Sequence, residues 1–154
     1  MPVSSAEDIV RAVCSDKWDG VRLSPSLFAG EATSVSRLAL ASLGEHWEMF
    51  SNHVQKPPDR CLQLIAEINV GKLQEVGLEQ ELPVHLTVEP KPEDWNPAHA
   101  EIPQKVTRGL ANKIRFLATF SGSVAREGEF PGDEVEHGGH VFHRPVPAGF
   151  ALHG

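Results

Sequence analysis

The stretch Cys61–Val70, CLQLIAEINV, decides how this chain is built. Leu62, Leu64, Ala66 and Ile68 alternate with Gln63, Glu67 and Asn69. Residues two apart share a face of a strand, so the alternation predicts a strand with one apolar side. Ile65 breaks the pattern, and a helical period also accommodates these residues. Downstream, Asn69 is suited to cap a short helix in VGKLQEV, and Gly77 suits its C′ position. ELPVHLTVEP then alternates, with Val84, Leu86 and Val88 predicted inward and His85 and Thr87 outward. Pro83 favours an edge strand there. KPEDWNP reads as a proline-bounded loop and AHAEI as a short strand. PQKVTRGLANKIRFLATF, 103–120, is predicted as the longest helix. Pro103 fits its first turn, Val106, Leu110, Ile114 and Leu117 make its buried stripe, and Gly122 closes it.

On the other side of Cys61, SLGEHWEMFSNHVQ carries a Ser42–Glu45 capping box. Leu43, Trp47, Phe50 and Val54 fall on one face of that helix, and Pro57–Pro58 stop it. SVSRLAL is predicted as a strand. VRLS is a brief strand with Arg22 facing away from Val21 and Leu23, and PSLFAGEAT is loop. SSAEDIVRAVCSDKWDG reads as a short helix, capped by Ser4 or Ser5, with Ile9, Val10 and Val13 as its stripe. The expected architecture is α+β: a small mixed sheet packed by three to four helices over 1–122, with Trp47, Phe50, Leu110, Ile114 and Leu117 in one core. A C-terminal tail, 123–154, carries an expected β-hairpin at 134–143.

The chain has 154 residues and a formal net charge of −7, so no global field favours nucleic acid. Cys14 and Cys61 form no CxxC pair and read as reduced thiols. The N-terminus lacks the basic and apolar segments of a signal peptide, and no apolar run is long enough to span a bilayer. The expected setting is cytoplasmic, with no membrane contact and no cofactor.

EVEHGGHVFHRP places His137, His140 and His143 three apart. Gly138–Gly139 is a hairpin turn signal, which puts His137 opposite His140 and turns His143 to the other face. Two histidines need help from a carboxylate such as Glu134 or Asp133 to hold zinc, so His137 and His140 are weak metal candidates beside the readings as a structural hairpin and a pH-responsive pair, and no metal is expected. His46 and His53, seven apart on a helix, are too far apart for one metal. Over 103–120, Lys105, Arg108 and Arg115 would share a basic helical face, whose solvated reading competes with a phosphate-contacting one. With −10 outside 101–120, nucleic-acid binding is expected to be weak at best. Glycine-rich nucleotide motifs, HExxH and GxSxG are all absent. In DWNPAHAEI, Trp95 is either a recognition anchor or a pin to the core. His99 and Glu101 share a strand face, so His99 is either half of a proton-sharing pair or a structural residue.

Five pieces, VRLSP, SVSRL, KLQEVG, NPAHAEI and KVTRGLANKI, resemble a set of small, uncharacterised bacterial proteins. That set has an early Arg-containing strand, a Ser-Val segment and an NPAHA loop leading to a strand and a terminal helix. The resemblance spans about residue 20 to about residue 118, and implies a fold and a bacterial origin but no activity. A fainter similarity is to ADP-ribosyltransferase-like enzymes, on Arg22 in VRLS, Ser34 in TSVS and Glu101 in AHAEI. It implies that Arg22 holds the NAD phosphates, Ser34 orients the nicotinamide ribose and Glu101 polarises the acceptor.

Two functions are therefore expected to compete. One is a small binding or accessory protein acting through protein contact, with Trp95, Asn96, His99, Lys105, Arg108 and Arg115 as contact residues. The other is an NAD-dependent ADP-ribosyltransferase-like enzyme using Arg22, Ser34 and Glu101, or a nuclease-like one using Arg22, His99 and Glu101. Convergence of Arg22, Ser34, His99 and Glu101 on one pocket would favour the enzymes.

Overall fold

A computed structural model describes residues 2–20 and 22–122, and the backbone of two short strands at 135–137 and 140–142. The strands are β1 (Asp8–Cys14), β2 (Thr33–Arg37), β3 (Leu62–Asn69), β4 (Glu89–Pro90), β5 (His99–Ile102) and β6 (Thr119–Gly122). They pair antiparallel throughout, in the order β4-β5-β2-β1-β3-β6. Three helices accompany them among the described residues: α1 (Leu43–His53), α2 (Val70–Leu78) and α3 (Arg108–Ile114). The chain is thus α+β. The expected mixed character enters only where β6 pairs in parallel with β8 (His140–Phe142), itself antiparallel to β7 (Val135–His137). That pairing sets His137 opposite His140. The Gly138–Gly139 turn and His143 lie outside the described residues.

CLQLIAEIN is a strand, and its irregular residue has a clear role. Leu64, Ala66 and Ile68 face a core made with α2 and α3, where Val70, Leu73, Leu110 and Ile114 are buried. Ile65 faces the other way, into a second cluster with Trp47 and Phe50 of α1. A sheet covered on both sides needs apolar residues on both faces, so alternation breaks where α1 lies. The expected single core uniting Trp47 and Phe50 with Leu110 and Ile114 is therefore two cores, one on each face of the sheet.

The same two-sided burial overturns the predicted N-terminal helix. Ile9 and Val13 of β1 enter one core, and Val10 and Cys14 the other. Apolar residues at 9, 10, 13 and 14 imitate a helical stripe, yet β1 is a central strand paired with β2 and β3. Ser4 closes a local turn instead, its hydroxyl accepting from the Ala6 N–H at 3.2 Å.

Three other expectations change. The 103–120 helix contracts to α3, because Val106 exchanges two backbone hydrogen bonds of 2.9 Å with Gly30, which holds the preceding residues extended. Thr107 then caps α3, a 3₁₀ turn covers Arg115–Leu117, and Thr119–Gly122 joins the sheet beside β3. Gly77 lies inside α2, not at C′: a Cβ there would meet the Val84 carbonyl oxygen at 2.6 Å. The 84–88 segment keeps Leu86 and Val88 buried but forms no strand before Glu89. VRLS contributes only a bridge between Trp18 and Leu23, and Val21 lies outside the described residues. The capping box at Ser42–Glu45 and the Asn69 cap of α2 form as expected.

Candidate functional site

The loop before β5 is built by Asn96. Its main chain exchanges hydrogen bonds with Glu93 at 2.9 and 3.0 Å, and its Oδ1 accepts from the Ala98 N–H at 3.0 Å. Its Nδ2 donates to the Ser36 Oγ at 3.0 Å, and Ser36 is 2.6 Å from the His46 Nε2. His46 Nδ1 lies 3.0 Å from the Ser42 carbonyl, which can only accept, so the proton is on Nδ1. Nε2 is then the acceptor and the Ser36 hydroxyl donates to it. Burial pushes the His46 pKa below its ordinary value, which keeps this ring neutral at pH 7. Asn96, Ser36 and His46 are all buried. The chain of bonds joins the 93–98 loop to β2 and β2 to α1.

Those three elements, with β1, line a cleft of about 400 Å³. It opens where β1 and β2 part. The two strands pair only through Ile9–Arg37 and Val10–Ser36. Beyond that point Arg11 fills the gap, its Nε donating to the Leu27 carbonyl at 3.0 Å and its Nη1 to the Ser34 carbonyl. Carbonyls left without a ladder partner are thereby satisfied. Burial lowers the Arg11 pKa, but from so high a value that the guanidinium stays charged.

Two further cations line the cleft, Lys17 and Arg60. Lys17 Nζ is held by the Ser26 hydroxyl at 3.1 Å. Arg60 donates from Nη2 to the Val54 carbonyl at 2.7 Å, while its buried Nε has no partner. None of the three cations has a carboxylate within 4 Å among the described residues, where ion pairs involve Arg37, Lys91 and His99. Asp16 and Glu93 also line the cleft, and Phe50, Val54 and Trp95 form its apolar wall. His99 Nδ1 lies 2.7 Å from the Lys91 carbonyl, to which it donates. Its Nε2 therefore faces Glu93 Oε1, 3.6 Å away. Cys14 reaches the same cleft, and burial pushes its thiol pKa up, so it lines the wall as a neutral thiol.

The predicted site residues divide. Ser34, Trp95, Asn96 and His99 line the cleft, and Arg22 and Glu101 do not. Arg22 is exposed, beside Asp19, whose carboxylate accepts from its backbone N–H at 2.6 Å. Glu101 is the cross-strand partner of Ser34, and its carboxylate is paired with Lys91 at 3.1 Å. Trp95 is half-buried, with the His53 ring stacked on it at 4.9 Å. The basic face of Lys105, Arg108 and Arg115 is not assembled, because Lys105 precedes α3 and Arg115 follows it. Arg115 instead donates to the Leu23 carbonyl. The side chains of His137 and His140 lie outside the described residues.

Arg11, Lys17, Arg60 and Glu93 were missed in the sequence. One signal was available for Arg11: a cation inside the apolar run IVRAVC must find partners if that run is a central strand. Reading the run as a helix put Arg11 harmlessly on a solvated face. Fold and cleft together define an α+β protein with a cationic cleft beside a split sheet. Comparison with protein-family models, curated proteins and solved structures gives no match. Among the described residues, no helix is long and apolar enough to cross a membrane.

Proposed function

We propose that this is a binding protein whose cleft receives the anionic group of a small organic ligand. One observation carries the reading: in a chain of net charge −7, Arg11, Lys17 and Arg60 share one cleft without a carboxylate partner. Charges held in concave, partly desolvated sites need compensation, and Asp16 and Glu93, the acidic residues that line the cleft, form no ion pair with these three cations. The cleft volume falls within the range of small-molecule sites, and its lining combines an apolar wall with a few polar groups.

The reading as an accessory protein acting through protein contact names Trp95, Asn96, His99, Lys105, Arg108 and Arg115 as contact residues, and either reading places the functional surface on the DWNPAHAEI loop. Asn96, Ala98, His99 and Ala100 are buried, which favours the cleft over the loop as the binding element. The ADP-ribosyltransferase-like alternative draws support from the pairing of Ser34 with Glu101, and none from the position of Arg22.

Thermal unfolding in inorganic phosphate and in citrate, against sodium chloride at equal ionic strength, tests the proposal. A bound anion raises the midpoint in proportion to the logarithm of its concentration above Kd. The rise is expected in the native protein and lost in Arg60→Gln and Lys17→Gln. No rise beyond chloride, or a rise that both variants keep, overturns it.

A further inference from the structure

We infer that the ligand class is a nucleoside phosphate, a deepening that rests on the anionic-cleft reading above. The cleft carries three kinds of recognition at once. Its cations, Lys17 and Arg60, are tethered through the Ser26 hydroxyl and the Val54 carbonyl, so their donors are held in place. Arg60 lies in the cleft wall, and its guanidinium carries donors beyond the one committed to Val54, which suit an oxyanion. Its backbone is rigid as well, because Lys56 and Arg60 exchange hydrogen bonds of 2.6 and 2.9 Å across a tight turn.

The second kind is aromatic. Trp95 lines the cleft whereas His53, stacked on it at an interplanar angle of 23°, does not. One face of the indole is taken by His53, which fixes the plane of the ring that lines the cleft. With Phe50 and Val54 beside it, this wall suits a flat heterocycle. A phosphate or carboxylate alone would make no use of it.

The third kind is the pair between these ends. The Glu93 carboxylate accepts hydroxyl hydrogens, and His99 Nε2, its Nδ1 committed to the Lys91 carbonyl, accepts or donates beside it. Ser34 adds an exposed hydroxyl on β2. Sugar hydroxyls match this polar middle, as phosphate matches the cations and a base matches the indole.

Calorimetric titration of the intact chain with the four common ribonucleoside 5′-monophosphates, the free nucleosides, ribose 5-phosphate and inorganic phosphate tests the assignment. At least one nucleotide is expected to bind roughly 10-fold tighter than both ribose 5-phosphate and its own nucleoside. Trp95→Leu should reduce it to the ribose 5-phosphate level, Trp95→Phe should retain most of the affinity, and Arg60→Gln should reduce it to the nucleoside level. Circular dichroism of each variant establishes that it is folded. Nucleotides that bind no tighter than inorganic phosphate overturn the nucleoside assignment while leaving the anionic cleft intact. Failure of every phosphate to bind overturns both.

Discussion

His46 holds more of the site together than its position on α1 suggests. It is fully buried, neutral and bonded at both nitrogens, to Ser36 and to the Ser42 carbonyl. Its burial-lowered pKa has a definite consequence for stability. Unfolded, the ring titrates near 6.5; folded, it titrates lower, chiefly through desolvation. Between those two values the unfolded chain binds the extra proton, so stability rises with pH across that window. The His46 contribution is complete above about pH 6.5 and is lost on acidification below it. Unfolding midpoints measured from pH 7.5 down to pH 5 should fall, and a His46→Gln variant should show a shallower slope. An unchanged slope in that variant would exclude His46 as the source. The left-out glycine side chain at Gly77 makes a comparable point about single residues. Only the close approach of the Val84 carbonyl explains it, and that approach is invisible in VGKLQEVGL itself.

At the scale of elements, β1 and β3 each send apolar residues into both cores. In β3 the neighbours Leu64 and Ile65 are both buried, but in opposite cores. Truncating either one to Ala should cost about 2–5 kcal/mol, the range for deletions in a packed core. A one-sided strand would instead show one costly and one nearly neutral position. Denaturant unfolding of Leu64→Ala and Ile65→Ala, fitted to a common slope, decides between these. The helices behave differently because their ends are written locally. The Ser42–Glu45 box and the Asn69 and Thr107 caps each satisfy an N–H that the first helical turn leaves free. The end of the sheet where β1 leaves β2 has no such local signal. It is closed by Arg11, whose partners Leu27 and Ser34 lie 16 and 23 residues away.

The whole molecule is a sheet between two layers, with α2 and α3 on one side and α1 on the other. The cleft is lined by Phe50 and Val54 from the α1 side and by Leu27 and Val35 of the other core, so both layers bear on it. Ile65 and Ile114 belong to different cores. The effects of Ile65→Ala and Ile114→Ala on unfolding free energy should add within about 0.5 kcal/mol in the double variant. A coupling energy well above that would show that the two layers act as one core.

What the sequence determined by itself was local. The α+β class, α1 with its capping box, the Asn69 cap, β3 and the short strand in AHAEI all follow from periodicity and caps, which depend on neighbours a few residues apart. The grouping of Ser34, Trp95, Asn96 and His99 was partly legible because loop and strand residues of those types were already suspect. Tertiary structure alone decided the rest. Whether IVRAVC is a helix or a strand depends on what covers its second face, and that is α1, some thirty residues on. Where Arg11, Lys17 and Arg60 meet depends on the parting of β1 from β2. Arg22 and Glu101, which the sequence nominated, lie outside the cleft, Arg22 exposed beside Asp19 and Glu101 paired with Lys91. Periodicity records which side of an element is buried; it does not record how many sides, or against what.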